Sequence, residues 1–166
     1  QEDTFMARFE HIIQVNAADV PGLPVLTREQ VWRGLWLRAF DPVYFVMGLN
    51  SADITRRTNY GDHEIIERIL DYGSFKVKDR VILHPMKQTR VEVAESAGWP
   101  RCSATCIIEE PEPLSLFIRF VYEWDENAPS EADLDDEVRR AREQAYIATD
   151  LDTVQRIREI AGMSLE

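Results

Sequence analysis

Cysteine and histidine are scarce in this 166-residue chain, which has two cysteines and three histidines. Cys102 and Cys106 fall in one predicted strand, where a rise of ~3.3 Å per residue puts their Cα atoms about 13 Å apart and excludes a disulfide between them. No Cys-x-x-Cys spacing is present, and His11, His63 and His84 are scattered along the chain. We therefore expect reduced thiols and no metal site.

Basic residues are fewer than acidic ones: the chain has 19 Lys and Arg and 30 Asp and Glu, which gives a formal net charge of −11. This charge repels nucleic-acid phosphates and anionic lipids, and no run of Lys or Arg offsets it locally. No apolar run approaches the ~20 residues that span a bilayer, and the start of the chain carries acids where a secretory leader carries bases. We expect a cytoplasmic protein without a nucleic-acid partner or membrane insertion.

Motifs for nucleotide binding and covalent catalysis are also missing. The chain has no Gly-x-Gly-x-x-Gly or Walker loop, no Gly-x-Ser-x-Gly elbow and no His-Glu-x-x-His pair. It therefore lacks the usual phosphate cradle, nucleophile turn and zinc ligands, and we expect no cofactor. Its length and the absence of an internal repeat predict a single domain over residues 1–166.

Alternation of apolar and polar residues predicts the strands. Residues 5–16 alternate over their whole length and form a first, half-buried strand. Residues 51–124 also alternate, and turn residues interrupt the pattern often enough for six strands. Strands joined by such short turns pair antiparallel. The clearest of the six are 75–83, 102–108 and 116–124.

Two helical segments flank the six strands. Thr27 is the predicted N-cap of the first segment, Gln30 completes a capping box, and residues 27–47 hold two short helices. Residues 131–162 have no internal proline or glycine and predict one long helix, whose apolar stripe changes face near Asp150. The order β-α-α-β-β-β-β-β-β-α belongs to the α+β class.

Four stretches carry a resemblance to a known family. They read PVLTREQVWRGLWLRA at 24–39, DRV at 79–81, IIEEPEPLSLFIRFVYE at 107–123 and DLDTVQRIREIA at 150–161. With the element order, they resemble the helix-grip fold of START domains, plant pathogenesis-related proteins and polyketide cyclases. Within that superfamily the chain is most similar to the AtaL-like family, named for a protein encoded in a fungal acetylaranotin pathway. The resemblance implies a curved seven-stranded antiparallel sheet around a long C-terminal helix, and it carries no catalytic motif.

Aromatic residues on the first predicted helix need a partner surface. Trp32, Trp36 and Phe40 recur at i, i+4 and i+8, and core packing alone can account for them because a buried ring of roughly 150 to 250 Å² contributes a few kcal/mol. A curved sheet that grips one long helix often encloses unfilled space, however, and apolar cavities bind small molecules. We predict that Trp32 and Trp36 close one end of such a cavity, opposite Phe120 and Tyr122.

Two polar residues on apolar strand faces are candidates for chemistry. Asp79 shares a face with Val77 and Val81, where an uncompensated charge is costly, and His11 lies on the inward face of the first strand. We predict that Asp79 and His11 contact the ligand and are the candidate catalytic acid or base. An ordinary ion pair for Asp79 and a hydrogen-bonded core position for His11 are open alternatives.

The leading functional hypothesis is binding of a small, largely apolar molecule in a cavity between the curved sheet and the C-terminal helix. The alternative is a cofactor-independent cyclase, dehydratase or isomerase acting on a polyketide-type or other secondary metabolite, by analogy with related folds. An interaction module without a ligand is a third hypothesis, favoured if Trp32, Trp36 and Phe120 fill the interior. A homodimer is left open.

Overall fold

Seven strands form one curved antiparallel sheet in this protein, whose computed structural model describes residues 4–125 and 136–163. Apolar and polar residues alternate along most of the strands, with β2 as an exception, so one face of the sheet is apolar and concave. The strands are β1 Ala7–Gln14, β2 Ser51–Asn59, β3 Glu64–Asp71, β4 Lys76–His84, β5 Gln88–Val93, β6 Cys102–Glu112 and β7 Ser115–Trp124.

The strands lie in the spatial order β1-β7-β6-β5-β4-β3-β2. Strands β2 to β7 therefore follow the chain as a meander, and β1 closes the order by pairing with β7, from Ala7 opposite Trp124 to Gln14 opposite Phe117. The register places His11 opposite Phe120. This topology, with its helices, confirms the predicted fold class.

Two helices and a short turn complete the chain's regular structure. Helix α1 spans Arg28–Phe40, a 3-10 turn follows at Pro42–Tyr44, and helix α2 spans Asp136–Met163. The predicted capping box is confirmed, because the Gln30 backbone N–H donates to the Thr27 hydroxyl and the Thr27 backbone N–H donates to the Gln30 side chain.

The long helix α2 is continuous, but its surroundings change along its length. From Asp150 onward it presents a buried face to the sheet and α1, whereas Val138 and Ala148 earlier in the helix are exposed. Residues 131–135, where the predicted helix begins, lie outside the described residues. Neither described helix combines the length and the apolar character needed to cross a membrane.

The concave face of the sheet is filled unevenly. A large cluster of buried residues packs the side formed by β1, β7 and β6 against both helices, with Phe120 and Ile157 among its members. Gly34 of α1 lets the helices approach closely, since a Cβ there would lie 2.7 Å from Cγ1 of Ile157. The side formed by β3 and β4 has a much smaller cluster: Ala39, Ile66, Val81 and Leu83.

Candidate functional site

A cavity of about 240 Å³ lies under the less filled side of the sheet. It is bounded by the C-terminal half of α1, the start of the 3-10 turn and the inward faces of β3 to β6. Its apolar lining residues are Leu35, Ala39, Pro42, Val46, Leu70, Val77, Val81, Val91, Val93 and Ala104, and its polar ones are Arg38, Arg68, Tyr72, Asp79 and Thr89.

The position of the cavity corrects the prediction that it lies between the sheet and the C-terminal helix. Among the described residues, none of α2 lines it. The reason is that α2 packs directly on α1 at Gly34 and Ile157 and on the core below β7. The inward residues of β4, β5 and β6 are mostly valine and alanine, too small to fill the space under α1.

The structure places the two tryptophans of α1 outside the cavity. Trp32 is partly buried and packs against both core clusters, and Trp36 is 37% exposed and stacks on Phe40 at 4.3 Å between ring centroids. The cavity is lined by a different stripe of the helix, in which Leu35, Arg38 and Ala39 occupy neighbouring positions. The side of α1 that carries Trp32, Trp36 and Phe40 therefore does not line the cavity. Trp32 and Trp36 instead line a groove on the surface.

Asp79 lies in the cavity wall and forms a buried ion pair with Arg68. Nε and Nη2 of Arg68 donate to the two carboxylate oxygens at 2.9 and 2.7 Å, and Nη1 donates to the Ala39 carbonyl oxygen at 2.7 Å. That carbonyl belongs to the last turn of α1, where a cation is favoured by the helix dipole. The register of β3 and β4 sets Arg68 directly opposite Asp79.

His11 and Tyr122 hold a second buried carboxylate, that of Asp150 on α2. His11 Nε2 lies 2.6 Å from Asp150 Oδ2, and the Tyr122 hydroxyl donates to Asp150 Oδ1 at 2.6 Å. Asp150 is fully buried, and burial raises its pKa while the hydrogen bonds from Tyr122 and His11 oppose that rise. Burial, followed by the negative charge of Asp150, raises the pKa of Tyr122.

Rings surround this second carboxylate. His11 stacks on Phe120 at 5.4 Å, and Tyr122 stacks on Tyr146 at 4.0 Å between ring centroids. None of the three hydrogen-bonded residues lines the cavity. The group made of His11, Asp150 and Tyr122 therefore joins α2 to the sheet within packed surroundings.

Arg38 is the charged group that reaches the cavity from α1. Its Nη1 lies 3.7 Å from Cys106 Sγ, while its Nε is buried and has no hydrogen-bond partner among the described residues. Burial raises the pKa of the Cys106 thiol, and the charge of Arg38 opposes that effect. A thiol held in its protonated form is a weak nucleophile, so Cys106 supplies packing here.

The structure does not bring the two candidate catalytic residues together. Asp79 is bonded to Arg68 in the cavity wall, and His11 is bonded to Asp150 outside it. Among the predicted ligand contacts only Asp79 lines the cavity, since Phe120 is buried in the large core cluster. No group of three His, Cys, Asp or Glu residues in 4–125 and 136–163 could hold a metal ion.

Sequence reasoning missed Arg38, Arg68 and Asp150, although two of them leave a signal. Arg68 alternates with apolar residues in a strand next to that of Asp79, so two opposite charges occupy inward positions on neighbouring strands. Asp150 precedes Val154 and Ile157 at i+4 and i+7, which puts it on the buried face of α2. Arg38 leaves no such signal, because arginine is ordinary on a helix surface.

A curved seven-stranded antiparallel sheet wrapped over helices gives the chain a START-like helix-grip fold. Solved structures with this fold include the Zhui aromatase/cyclase from a Streptomyces species, with 13% identity, a TM-score of 0.60 and 96% of each chain covered. A START superfamily protein from Mycobacterium smegmatis is 9% identical, with a TM-score of 0.59 and coverage of 92% of this chain and 98% of that one. The di-domain ARO/CYC StfQ from the steffimycin biosynthetic pathway is 8% identical, with a TM-score of 0.62 and coverage of 95% and 51%. Such identities establish the fold alone.

Family membership is more specific. A family model described as "Acetylaranotin biosynthesis cluster protein L" matches residues 13–163, so the chain belongs to the AtaL family. The resemblance noted from the sequence is thereby confirmed. No curated protein sequence matches the chain.

Proposed function

We propose that this protein binds a small, largely apolar molecule in the cavity under β3 to β6. The observation that carries the proposal is the cavity itself, about 240 Å³ in volume, with apolar walls and a few polar groups. Small-molecule sites have this composition, and their volumes start at roughly 300 Å³. A cavity close to that lower bound suits a compound of one or two rings.

The polar groups of the cavity are suited to orienting a ligand. Thr89 and Tyr72 carry hydroxyl groups in the lining, and burial raises the pKa of Tyr72, with the charge of Asp79 adding to the effect. A phenol that stays protonated can donate to a carbonyl or hydroxyl oxygen of the ligand. The apolar walls would supply affinity, and these groups would supply orientation.

Calorimetric titration with one-ring and two-ring aromatic compounds tests the proposal. We expect saturable binding to the wild type and at least about tenfold weaker binding to Ala104→Leu, because the larger side chain occupies the cavity. Ala145→Leu is the matched control, since Ala145 is exposed on α2. Absence of saturable binding to the wild type, or equal binding to Ala104→Leu, would refute the proposal.

The enzymatic alternative, a cofactor-independent cyclase, dehydratase or isomerase, has one observation in its favour. The Asp79 carboxylate lines the same cavity and could exchange a proton with a bound compound. Both of its oxygens already accept hydrogen bonds from Arg68, however, so proton transfer requires part of that pair to open. For this alternative, Asp79→Asn should abolish turnover of a bound compound while binding persists, and unchanged turnover would exclude Asp79.

The third hypothesis, an interaction module without a ligand, required aromatic side chains to fill the interior. Trp32, Trp36 and Phe120 do not line the cavity, and Trp36 is partly exposed on the other side of α1. None of these three side chains therefore fills the cavity under β4 and β5. This arrangement supports small-molecule binding over the third hypothesis.

A further inference from the structure

Arg38 and Arg68 both line the cavity, but only Arg68 is hydrogen-bonded to a carboxylate. The charge of Arg38 acts on the Asp150 carboxylate without an ion pair between the two residues. Arg68 forms two hydrogen bonds to Asp79 and one to a helix-end carbonyl oxygen. Arg38 forms no ion pair with a described residue, and its one hydrogen bond is a long contact of 3.7 Å to a sulfur atom. The buried Nε of Arg38 has no partner among the described residues.

A guanidinium in a cavity wall without a hydrogen-bonded carboxylate partner favours one class of ligand. A buried donor without an acceptor is costly, and most buried polar groups in proteins do have a partner. The acceptors that satisfy a guanidinium best are carboxylate-like oxygens, because the hydrogen bonds are charge-assisted and can be bidentate. A ligand that places such an oxygen beside Arg38 would remove the cost.

A second observation concerns access to the cavity. A groove of about 370 Å³ lies where β4 and β5 separate, since their pairing begins only at Arg80 opposite Glu92. The groove and the cavity share Asp79 and Val93 in their linings. Its basic lining residues are Lys78, Arg80, Arg90 and Arg101, of which Arg80 and Arg90 are paired with Glu92 and Arg101 with Asp125.

We infer that the ligand carries an anionic oxygen group, a carboxylate or an ionised phenol, that binds Arg38 while its apolar body lies against the valines. The inference rests on the proposed function and specifies its ligand class. The groove at the end of the β4–β5 pairing, which shares Asp79 and Val93 with the cavity, is the entrance.

Two probes that differ only in charge test this inference. We choose 1-naphthoic acid and 1-naphthalenemethanol, which share one ring system, and measure their affinities by calorimetry at neutral pH. The wild type should bind the acid at least about tenfold more tightly than the alcohol. Arg38→Gln should reduce this ratio to about one, and Arg33→Gln, a substitution on the exposed face of the same helix, should leave it unchanged.

The outcomes separate this inference from the proposed function. Equal wild-type affinities for the acid and the alcohol would overturn the inference while the proposed function stands. Binding of neither probe to the wild type would overturn both. An acid preference that persists in Arg38→Gln would overturn the role of Arg38. If Arg38→Gln does not fold, Arg38→Lys replaces it. The preference for the acid over the alcohol should then fall, because lysine lacks the Nε donor. An undiminished preference in Arg38→Lys would also overturn the role of Arg38.

Discussion

The two halves of the concave face differ in how completely they are filled. Under β1, β7 and β6, large side chains such as Phe120, Ile118 and Ile157 pack solidly against both helices. Under β3, β4 and β5, four valines are among the inward residues, and a cavity separates them from α1. The fold is continuous across both halves, so the size of the inward side chains decides where space is left.

Each half also buries one carboxylate, and the two carboxylates differ in their access to that space. Asp150 is bonded to His11 and Tyr122 among stacked rings, away from the cavity. Asp79 is bonded to Arg68 in the cavity wall. A buried carboxylate therefore does not mark a functional site by itself, and the neighbouring empty volume distinguishes the two.

The largest effect is expected from breaking the ion pair in the open half. Arg68→Met leaves the carboxylate of Asp79 buried and uncompensated, so the free energy of unfolding should fall by about 3–5 kcal/mol in urea denaturation. Arg68→Met combined with Asp79→Leu should recover much of this loss. The control is Arg80→Met, whose half-exposed pair with Glu92 should change stability by less than about 1 kcal/mol. Equal losses in Arg68→Met and Arg80→Met would contradict this reading.

The contact between the helices in the packed half provides the next test. A Cβ at Gly34 would lie 2.7 and 2.8 Å from Cγ1 and Cγ2 of Ile157. The resulting overpacking in Gly34→Ala should lower the free energy of unfolding by about 1–3 kcal/mol. The higher helix propensity of alanine should offset up to about 1 kcal/mol of this loss. Gly162→Ala, where a Cβ meets open space, should be neutral or slightly stabilising. Thermal denaturation of both variants is the measurement. A Gly34→Ala protein as stable as Gly162→Ala would show that the helices are not packed this tightly.

The carboxylate in the packed half should produce a pH dependence. Burial raises the folded-state pKa of Asp150 above its ordinary 3.8, so its contribution to stability is fully present below pH 3.8 and is lost as the pH rises through the folded-state value. Titratable or charged groups facing it are His11, Tyr122, Arg38 and Cys106.

The comparison of wild type with Asp150→Asn isolates this contribution. The stability advantage of the wild type over the variant should grow by on the order of 1 kcal/mol as the pH falls from about 8 to about 4. Asp152→Asn, at an exposed position of the same helix, should show no such change. An advantage that shrinks toward low pH would contradict the raised pKa.

The smallest effect on stability is expected where the cavity has room. Ala104→Leu should change the free energy of unfolding by less than about 1 kcal/mol, because the added carbons enter empty space. Ala161→Leu makes the same substitution in the packed half, where Ala161 is 3% exposed, and should cost about 1–3 kcal/mol through overpacking. If the two variants lose the same stability in urea, the two halves do not differ in packing.

The strands, the capping box and the order of elements could be predicted because they depend on local patterns. Alternation marks strands such as Cys102–Glu112, and Thr27 with Gln30 marks the start of α1. The position of the cavity could not, because α1 has apolar residues on more than one side. Leu35 and Trp36 are equally apolar in sequence, and only the sheet's curvature decides which of them faces inward.

The buried polar partners were hard to predict for a different reason. A hydrophobic pattern counts Arg68 and Asp150 as exposed, although each lies in register with apolar neighbours on a buried face. Their burial is stabilised by partners from distant parts of the sequence, Asp79 for Arg68 and His11 for Asp150. Asp79 could be identified because the other charges of its strand lie on the opposite face and its own face is otherwise apolar.

The central claim is that a cavity lies under β3 to β5, whereas the described residues under β1 and β7 pack into a large buried cluster. Methyl NMR during a ligand titration tests it most directly. On addition of 1-naphthoic acid, we expect saturable shifts of the methyl signals of Val77, Val81 and Val91, with little change at Ile118 and Ile157. Shifts confined to the surroundings of Trp36 on the outer side of α1, or spread equally over both halves, would contradict the account.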